Sequence, residues 1–253
     1  MATSIVFMGG KEIGYHCLNF LLSNSQSLNC EVTAVLSSGR MLFEPDLSIN
    51  DLCAQHKVPV PDSLDAFLNH PAPDLIVSVQ YHEILKERHI AHAKRLAVNL
   101  HMAPLPEYRG CNQFSFAILD GASEFGTTIH RLEPGIDSGD LIAETRFPIA
   151  GDATARSLYQ DTYEHSLALF GDAIASIIGD SYSLTTQESL VAERGTSYHF
   201  RHEINDIKVC EPSWPAERIK RHIRATWFPP FEPPYMMVDG QKTYLSPDWQ
   251  PGK

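Results

Sequence analysis

Short apolar runs alternate with segments of helical periodicity along the first 100 residues. The continuous apolar runs predict strands buried on both faces of a sheet, and they cover residues 4–8, 32–36, 75–79 and 96–100. The intervening segments carry apolar positions at helical spacing and predict helices over residues 13–22, 49–57, 62–69 and 83–94. This β-α-β alternation predicts an open, mostly parallel sheet with helices packed against it.

The pattern changes twice in the second part of the chain. Residues 111–120 predict a helix, 126–132 and 140–148 predict an antiparallel pair of strands around the 133–139 loop, and 154–178 predict a long amphipathic helix. From Ser181 onward, single apolar residues, proline-rich turns and aromatic residues replace the long buried runs. We therefore predict a Rossmann-like α/β domain over residues 1–182 and a small β-rich C-terminal subdomain over residues 183–253.

The turn after the first strand, Gly9–Gly14, occupies the place of a dinucleotide fingerprint. Its sequence GGKEIG is not GxGxxG, and the next strand ends in Ser37-Ser38 rather than in an acidic residue. NAD binding is therefore disfavoured, and we interpret the segment as a strand-to-helix turn.

Composition and charge exclude several classes of protein. The formal charge of −11 argues against a nucleic acid as the main partner, because phosphate contacts need clustered Lys and Arg. The basic cluster 218–224 reads first as a solvated helix face, with a phosphate site as the sharper alternative. The 5 cysteines include no CxxC pair, which favours reduced thiols in a cytoplasmic protein over disulfides or a metal site. We expect no signal peptide, and no apolar run approaches the ~18 residues that span a membrane.

Asn99, His101 and Asp137 are the residues with the clearest chemical potential. Asn99 and His101 are two apart at the end of a predicted strand, so their side chains share one face. An amide can donate to an oxyanion, an imidazole can move a proton near neutral pH, and a carboxylate can orient that imidazole. The set lacks a nucleophile, because Ser138 and Cys111 do not lie in a nucleophile elbow. The residues together therefore indicate acyl transfer or hydrolysis with a nucleophile supplied by the substrate, whereas His101 taken alone fits a structural role better than a catalytic one.

Several ordered motifs around these residues resemble one family. They are Asn99-Leu100-His101, Leu105-Pro106-x-Tyr108-Arg109-Gly110, Leu119-Asp120-Gly121, Gly126-Thr127-Thr128-Ile129-His130 and Gly135-Ile136-Asp137-Ser138-Gly139. Their order is similar to that of folate-dependent formyltransferases, which include the glycinamide ribonucleotide and methionyl-tRNA enzymes. The resemblance covers roughly residues 1–180, and the ordered set is far more specific than any one motif.

The resemblance implies a donor, a reaction and the roles of particular residues. N10-formyltetrahydrofolate would be the donor and a substrate amine the acceptor, with no metal, and Asn99, His101 and Asp137 would be catalytic. The pterin would lie near the strand end at 79–85 and the 133–139 loop. The implied cofactor-binding residues are Gln80, Tyr81, Ile84, Leu85, Arg109, Gly110, Gly135 and Ile136.

The acceptor is suggested by two further segments, 101–114 and 223–231, which resemble sugar N-formyltransferases acting on dTDP- or GDP-linked amino-deoxy sugars. An acidic chain of this length is not expected to carry the basic C-terminal domain of the methionyl-tRNA enzymes. The implied substrate-binding residues are Met102, Tyr108, Asn112, Lys220, Arg224, Trp227, Phe231 and Tyr235. Aromatic rings at 227–235 would stack a nucleobase while Arg224 or Lys220 meets the diphosphate.

Other interpretations stay open at this point. The aromatic residues of the tail also suit a small core, and the apolar tail makes a homodimer plausible. The acceptor is alternatively a small amine such as a hydroxyornithine-like amino acid, or water in a formyl-tetrahydrofolate hydrolase. A binding module without activity is the remaining hypothesis, and the intact Asn99, His101 and Asp137 set argues against it.

Overall fold

The computed structural model describes residues 1–39 and 41–251 of the chain. Its strands are β1 (Thr3–Gly9), β2 (Cys30–Ser37), β3 (Leu75–Val79), β4 (Leu96–His101), β5 (Arg109–Gly110), β6 (Glu124–Arg131), β7 (Leu141–Pro148), β8 (Tyr198–His199), β9 (Tyr235–Val238) and β10 (Gln241–Tyr244). Its α-helices are α1 (Lys11–Ser23), α2 (Ile49–His56), α3 (Leu64–Phe67), α4 (Glu87–Ile90), α5 (Gln113–Asp120), α6 (Ala155–Ile178), α7 (Gln187–Arg194), α8 (Ile204–Ile207) and α9 (Ala216–Thr226). A 3₁₀ turn covers Arg201–Glu203.

The main sheet has the order β2-β1-β3-β4-β6-β7. Strands β2, β1, β3 and β4 are parallel, whereas β6 and β7 run antiparallel to their neighbours. Helix α6 covers the sheet with α1, as the long amphipathic segment predicted. The predicted Rossmann-like α/β class and the antiparallel extension are therefore confirmed.

The two faces of the sheet bury different sets of side chains because successive strand residues point in opposite directions. Along β1, Ile5 and Phe7 pack in the core that contains residues of α1 and α6. Val6 and Met8 pack on the other face against Phe67 of α3. The same alternation along β4 places Val98 and Leu100 in the α1–α6 core and Ala97 on the α3 face.

The helix predicted over residues 83–94 is wrong in extent, since only α4, Glu87–Ile90, is helical. The residues just before β4 are instead hydrogen-bonded to the residues just before β3. Lys94 N–H donates to the carbonyl of Pro73 at 2.8 Å, and Arg95 N–H donates to that of Asp74 at 3.0 Å. These bonds use backbone donors that a longer helix would need internally.

The C-terminal segment attaches to the main sheet at several points. Thr185 and Leu141 exchange two backbone hydrogen bonds of 2.8 and 2.9 Å beside β7. Strand β8 pairs with β5, and α9 packs against α5. The predicted small sheet is the β9–β10 hairpin, and helices α7, α8 and α9 make up much of the remaining segment. The division of the chain at residues 182 and 183 stays a prediction.

Helix α9 contains the basic cluster noted in the sequence. Ile219 and Ile223 are buried in a small core with Cys210, whereas Arg218 and Lys220 are exposed. The cluster therefore includes a solvated helix face. Within the described part of the chain, no helix combines the length and the apolar character required to cross a membrane.

Glu12 anchors the loop that follows β2 to the start of α1. Its Oε1 accepts from the backbone N–H groups of Leu42, Phe43 and Glu44 at 2.6, 2.6 and 3.1 Å. Burial raises the pKa of this carboxyl, but the three backbone donors outweigh that effect and hold its pKa below the ordinary value of 4.5. Glu12, the fourth residue of the turn Gly9–Gly14, is thus a structural anchor.

We expect Glu12→Gln to lower the free energy of unfolding by about 2 kcal/mol at pH 7, because buried donors lose a charged acceptor. The folded-state pKa lies below the unfolded one, so the contribution is complete above about pH 5 and disappears as pH falls through the folded pKa. Denaturant unfolding of both proteins across this pH range measures the difference. The exposed Glu31→Gln is the control, and a constant difference at every pH would contradict the assignment.

Candidate functional site

The site lies where β4 ends beside β6. Ala97, Asn99 and His101 share the face of β4 on which Tyr81 and Leu85 pack. The antiparallel register places Asn99 opposite His130. The loop between β6 and β7 brings Asp137 to the same place.

Asn99, His101 and Asp137 converge, and His130 joins them. His101 Nδ1 lies 3.7 Å from Asp137 Oδ2, and His130 Nε2 lies 3.5 Å from Asp137 Oδ1. Asn99 Nδ2 lies 3.2 Å from His130 Nε2. The His101 and His130 side chains are almost fully buried, and that of Asp137 is 15% exposed. One carboxylate therefore faces two imidazoles at the edge of solvent.

Backbone carbonyls determine which ring nitrogens carry protons. His101 Nε2 lies 2.8 Å from the carbonyl of Tyr108, which can only accept, so Nε2 carries a proton. His130 Nδ1 donates in the same way to the carbonyl of Arg131 at 2.9 Å. In the neutral rings, Nδ1 of His101 thus faces the carboxylate and Nε2 of His130 accepts from the Asn99 amide. A proton can be exchanged at His101 Nδ1.

Asp137 is held as a carboxylate. Burial raises the pKa of this group, but His101, His130 and the backbone N–H of Gly110 together keep its pKa well below the usual range. The Gly110 N–H donates to Asp137 Oδ2 at 3.0 Å. Asp137 therefore stays ionised at every pH at which histidine titrates.

Gly110 has no room for a side chain. Its φ is +85°, and a Cβ there would lie 2.4 Å from the carbonyl oxygen of His199. The same carbonyl accepts from Cys111 N–H at 2.8 Å. Strand β8 pairs closely with β5, and Gly110 of β5 donates its N–H to Asp137. The C-terminal segment therefore contributes to the shape of the site.

Two cavities are lined by residues close in the chain to this arrangement or packed on its face, Ser138 in one and Tyr81 in the other. One, of about 590 Å³, is lined by Arg109, Ser138, Asp140, Thr186, Gln187, Glu188, Val191 and Ala192. The other, of about 580 Å³, lies at the carboxyl ends of β2 and β3. It is lined by Leu36, Ser37, Ser38, Pro61, Asp62, Ser63, Tyr81, His82, Glu83 and Arg201. Both have the size of a small-molecule site.

The predicted cofactor residues after β3 lie beside the Asn99 face. Gln80 adopts φ +54° and accepts from Lys11 Nζ at 2.6 Å. Tyr81 and Leu85 are partly buried, whereas Ile84 is 71% exposed. In the 133–139 loop Gly135 has φ +129° and Ile136 is 38% exposed. Their roles in binding stay predictions.

The predicted substrate residues fall into two groups, and the first lies near the site. Met102 is buried in the core on the opposite face of β4 from His101. The Tyr108 hydroxyl donates to Asp120 at 3.3 Å, and Asn112 Nδ2 donates to the Phe200 carbonyl at 2.8 Å. The backbone carbonyl of Tyr108 accepts a hydrogen bond from His101 Nε2.

The second group lies in the tail. Trp227 packs against the small core around Ile219, Phe231 lies near Phe228, and Tyr235 faces Tyr244 across the hairpin. Lys220 pairs with Glu217 at 3.0 Å. Within the described part of the chain, Nε of Arg224 is buried without a hydrogen-bond partner. The contacts of Trp227 and Tyr235 are those of a small core, and a role in nucleotide binding stays a prediction.

Sequence reasoning overlooked three contributors. His130 belongs to a motif quoted for the resemblance, and only the pairing of β4 with β6 places it against Asn99. Gln187 contacts the Asp137 loop, and the backbone of His199 packs against Gly110. The last two are distant in the chain, and neither lies in a pattern that would have identified it.

Comparisons with known proteins identify the family of the chain. The model of the formyl transferase family matches residues 26–174, more than half of the chain. The GDP-perosamine N-formyltransferase of Brucella melitensis is 31% identical over 173 residues, which are 68% of this chain and 64% of that protein. The match thus spans less than two thirds of the relative. The methionyl-tRNA formyltransferase of Latilactobacillus sakei is 28% identical over 98% of this chain and 77% of its own length.

Solved structures share the fold. WlaRD, a sugar 3N-formyl transferase solved in the presence of dTDP and 5-N-formyl-THF, superposes with a TM-score of 0.78 at 25% identity, covering 96% of this chain and 85% of that one. The N-formyltransferase of Helicobacter canadensis gives 0.74 at 23% identity, covering 96% and 86%, and shows the fold alone. The chain belongs to the formyl transferase family, and the resemblance seen in the sequence is confirmed.

We expect Gly110→Ala to lower the free energy of unfolding by about 3 kcal/mol, since it combines an unfavourable φ with a collision against backbone. Gly121→Ala is the matched control. Its φ is +69°, and no atom lies within 4 Å of its Cβ position. Gly121→Ala should lower the free energy of unfolding by about 1 kcal/mol, because only the unfavourable φ contributes. Denaturant unfolding measures both losses of unfolding free energy. Equal losses in the two variants would show that the His199 carbonyl moves aside at no cost and would contradict the collision.

Proposed function

We propose that the protein transfers a formyl group from N10-formyltetrahydrofolate to the amine of a nucleotide-linked amino-deoxy sugar. The observation that carries the proposal is the convergence of Asn99, His101 and Asp137 at the end of β4. The names of the GDP-perosamine N-formyltransferase and of WlaRD support a sugar acceptor. The donor is supported by the 5-N-formyl-THF in the WlaRD structure.

The residues beside Asn99 fit a reduced pterin. Ile84 and Ile136 expose aliphatic surface, and Tyr81 and Leu85 form a partly buried floor on the Asn99 face. Gln80 and Gly135, both at positive φ, belong to the same two loops as Tyr81 and Ile136. Apolar surface with a few polar groups beside it is the usual environment of a flat heterocycle.

N10-formyltetrahydrofolate would supply the formyl group: the amine would bond to the formyl carbon, the bond from that carbon to N10 would then break, and the proton lost by the amine would go to N10. Asn99 retains a second amide N–H after its contact with His130, and we assign it to the developing oxyanion. His101 exchanges a proton at Nδ1, because Nε2 is held by the Tyr108 carbonyl. Asp137 stabilises the imidazolium that results. One well-aimed oxyanion donor contributes about 3 kcal/mol.

The acceptor would meet the C-terminal segment. Arg224 has a buried Nε without a partner among the described residues, which suits a diphosphate oxygen. Trp227 and Phe231 provide aromatic surface in the same segment. We propose that these residues bind the nucleotide part of the substrate.

A panel of amino sugars linked to dTDP, GDP or UDP, incubated with N10-formyltetrahydrofolate and followed by product mass, tests the acceptor. Formylation of at least one member supports the proposal. The match to methionyl-tRNA formyltransferases over 98% of the chain makes methionyl-tRNA a second acceptor to assay, although the charge of −11 argues against it. Formylation of that tRNA alone, of a small amine alone, or release of formate without any amine would overturn the sugar acceptor.

The catalytic assignment predicts that His101→Ala lowers kcat by about 1,000-fold and Asn99→Ala by 100-fold or more, the range for loss of proton transfer or of an oxyanion donor. Asp137→Ala should lower kcat comparably, because the imidazolium loses its counter-charge. Steady-state kinetics with thermal unfolding separates catalysis from folding. His56→Gln, an exposed histidine of α2, is the control. Near-normal kcat in folded His101→Ala would reject the role given to His101.

Titration with dTDP and with GDP, followed by tryptophan fluorescence, tests the nucleotide subsite. We expect Arg224→Ala to weaken binding of the preferred diphosphate by about tenfold, the value of one charge-assisted contact. Arg221→Ala removes the same charge from the exposed face of α9 and should leave the affinity within about twofold. Equal weakening in both variants would indicate general charge attraction instead of contact with Arg224.

A further inference from the structure

Gln187, the first residue of α7, is buried and uses both ends of its amide. Nε2 donates to the carbonyl of Asp137 at 2.8 Å and to that of Gly139 at 2.7 Å. Oε1 accepts from Nε and Nη2 of Arg109 at 2.9 and 2.6 Å. The residue is 3% exposed. Four hydrogen bonds on one buried side chain indicate a fixed position.

Arg109 settles the orientation of this amide. A guanidinium can only donate, so the end of Gln187 that faces it must be the oxygen. The NH₂ group therefore points at the 137–139 turn, where both of its protons meet carbonyl oxygens. The two contacts agree, because a reversed amide would place its NH₂ group against the guanidinium donors and its oxygen against the carbonyl oxygens.

The 137–139 turn needs such a restraint. Asp137 has φ +48°, a left-handed conformation that is unfavourable for a residue with a side chain. Gly139 packs so closely that a Cβ there would lie 1.9 Å from the Arg131 carbonyl oxygen. Gln187 bonds the carbonyls of both residues, and the Asp137 carboxylate is directed from the same backbone toward His101 and His130.

We propose that Gln187 is a positioning residue that holds the 137–139 turn so that the Asp137 carboxylate faces His101 and His130. By this contact the C-terminal segment completes a site whose other members belong to β4, β6 and their loops. The inference rests on the proposed function for its kinetic consequence, whereas its structural consequence is measured without turnover.

Gln187→Glu and Gln187→Met separate the two ends of the amide. Glu keeps the acceptor for Arg109 but removes both donors to the turn, and Met removes all four bonds at similar length. We expect both variants to lower kcat at least tenfold while KM for donor and acceptor changes less than threefold. Ser189→Ala, on the exposed side of the first turn of α7, is the control and should change neither.

The second measurement needs no substrate. In protein with ¹⁵N-labelled imidazoles, the His101 and His130 resonances of both Gln187 variants should move toward those of Asp137→Asn. The Ser189→Ala spectrum should match that of the unsubstituted protein. This comparison holds even if no nucleotide-linked sugar is formylated, so failure of the proposed function and failure of this inference are distinguishable.

Unchanged imidazole resonances in folded Gln187→Met and Gln187→Glu would overturn the proposal, whatever happens to kcat. If Gln187→Met alone fails to fold, Gln187→Glu decides, because it retains the pairing with Arg109. If both fail to fold, Gln187 serves folding rather than positioning, and the proposal is again overturned.

Discussion

The structure around the site depends on one carboxylate held between two imidazoles. Asp137 lies 3.7 Å from His101 Nδ1 and 3.5 Å from His130 Nε2, and it accepts from Gly110 N–H. Burial of a carboxylate is unfavourable unless charge and hydrogen bonds compensate it. Here the Gly110 N–H donates to Asp137, and each imidazole brings a compensating charge when it is protonated. The residues that bring these partners within reach are therefore as important to the site as the acid itself.

Those residues come from distant parts of the chain. Strand β4 provides Asn99 and His101, β6 provides His130, and the short β5 provides Gly110. The tail adds β8, which packs on Gly110 too closely for any side chain, and Gln187, which bonds the backbone of the turn. Removal of the tail contacts would free both the Gly110 N–H and the Asp137 backbone. The C-terminal segment is thus part of the site.

The sheet explains why the chemistry lies on one side of β4. Strand residues alternate between faces, so Val98 and Leu100 enter the core with α1 and α6 while Asn99 and His101 point the other way. The opposite face carries the segment after β3, with Tyr81 and Leu85 packed near Ala97. A polar site can therefore lie directly against an apolar core.

The sequence by itself determined the order along the chain of the six strands of the main sheet and of the helices between them, because buried parallel strands need continuous apolar runs and their connections need helical periodicity. It also determined that Asn99 and His101 share a face, since that follows from their spacing of two. The motif order identified the family. Each of these properties depends on residues that are close together in the chain or on the order of short motifs, so it can be read from the sequence alone.

Tertiary structure alone decided the length of α4, the protonated nitrogens of His101 and His130, and the roles of Gln187 and Gly110. Each depends on a partner distant in the chain: the Pro73 carbonyl for the segment after α4, the Tyr108 and Arg131 carbonyls for the rings, and the His199 carbonyl for Gly110. A single buried contact, such as that of Gln187 with the 137–139 turn, produces no periodic pattern in the sequence. Periodicity indicates which face of an element is buried but not which atoms that face contacts.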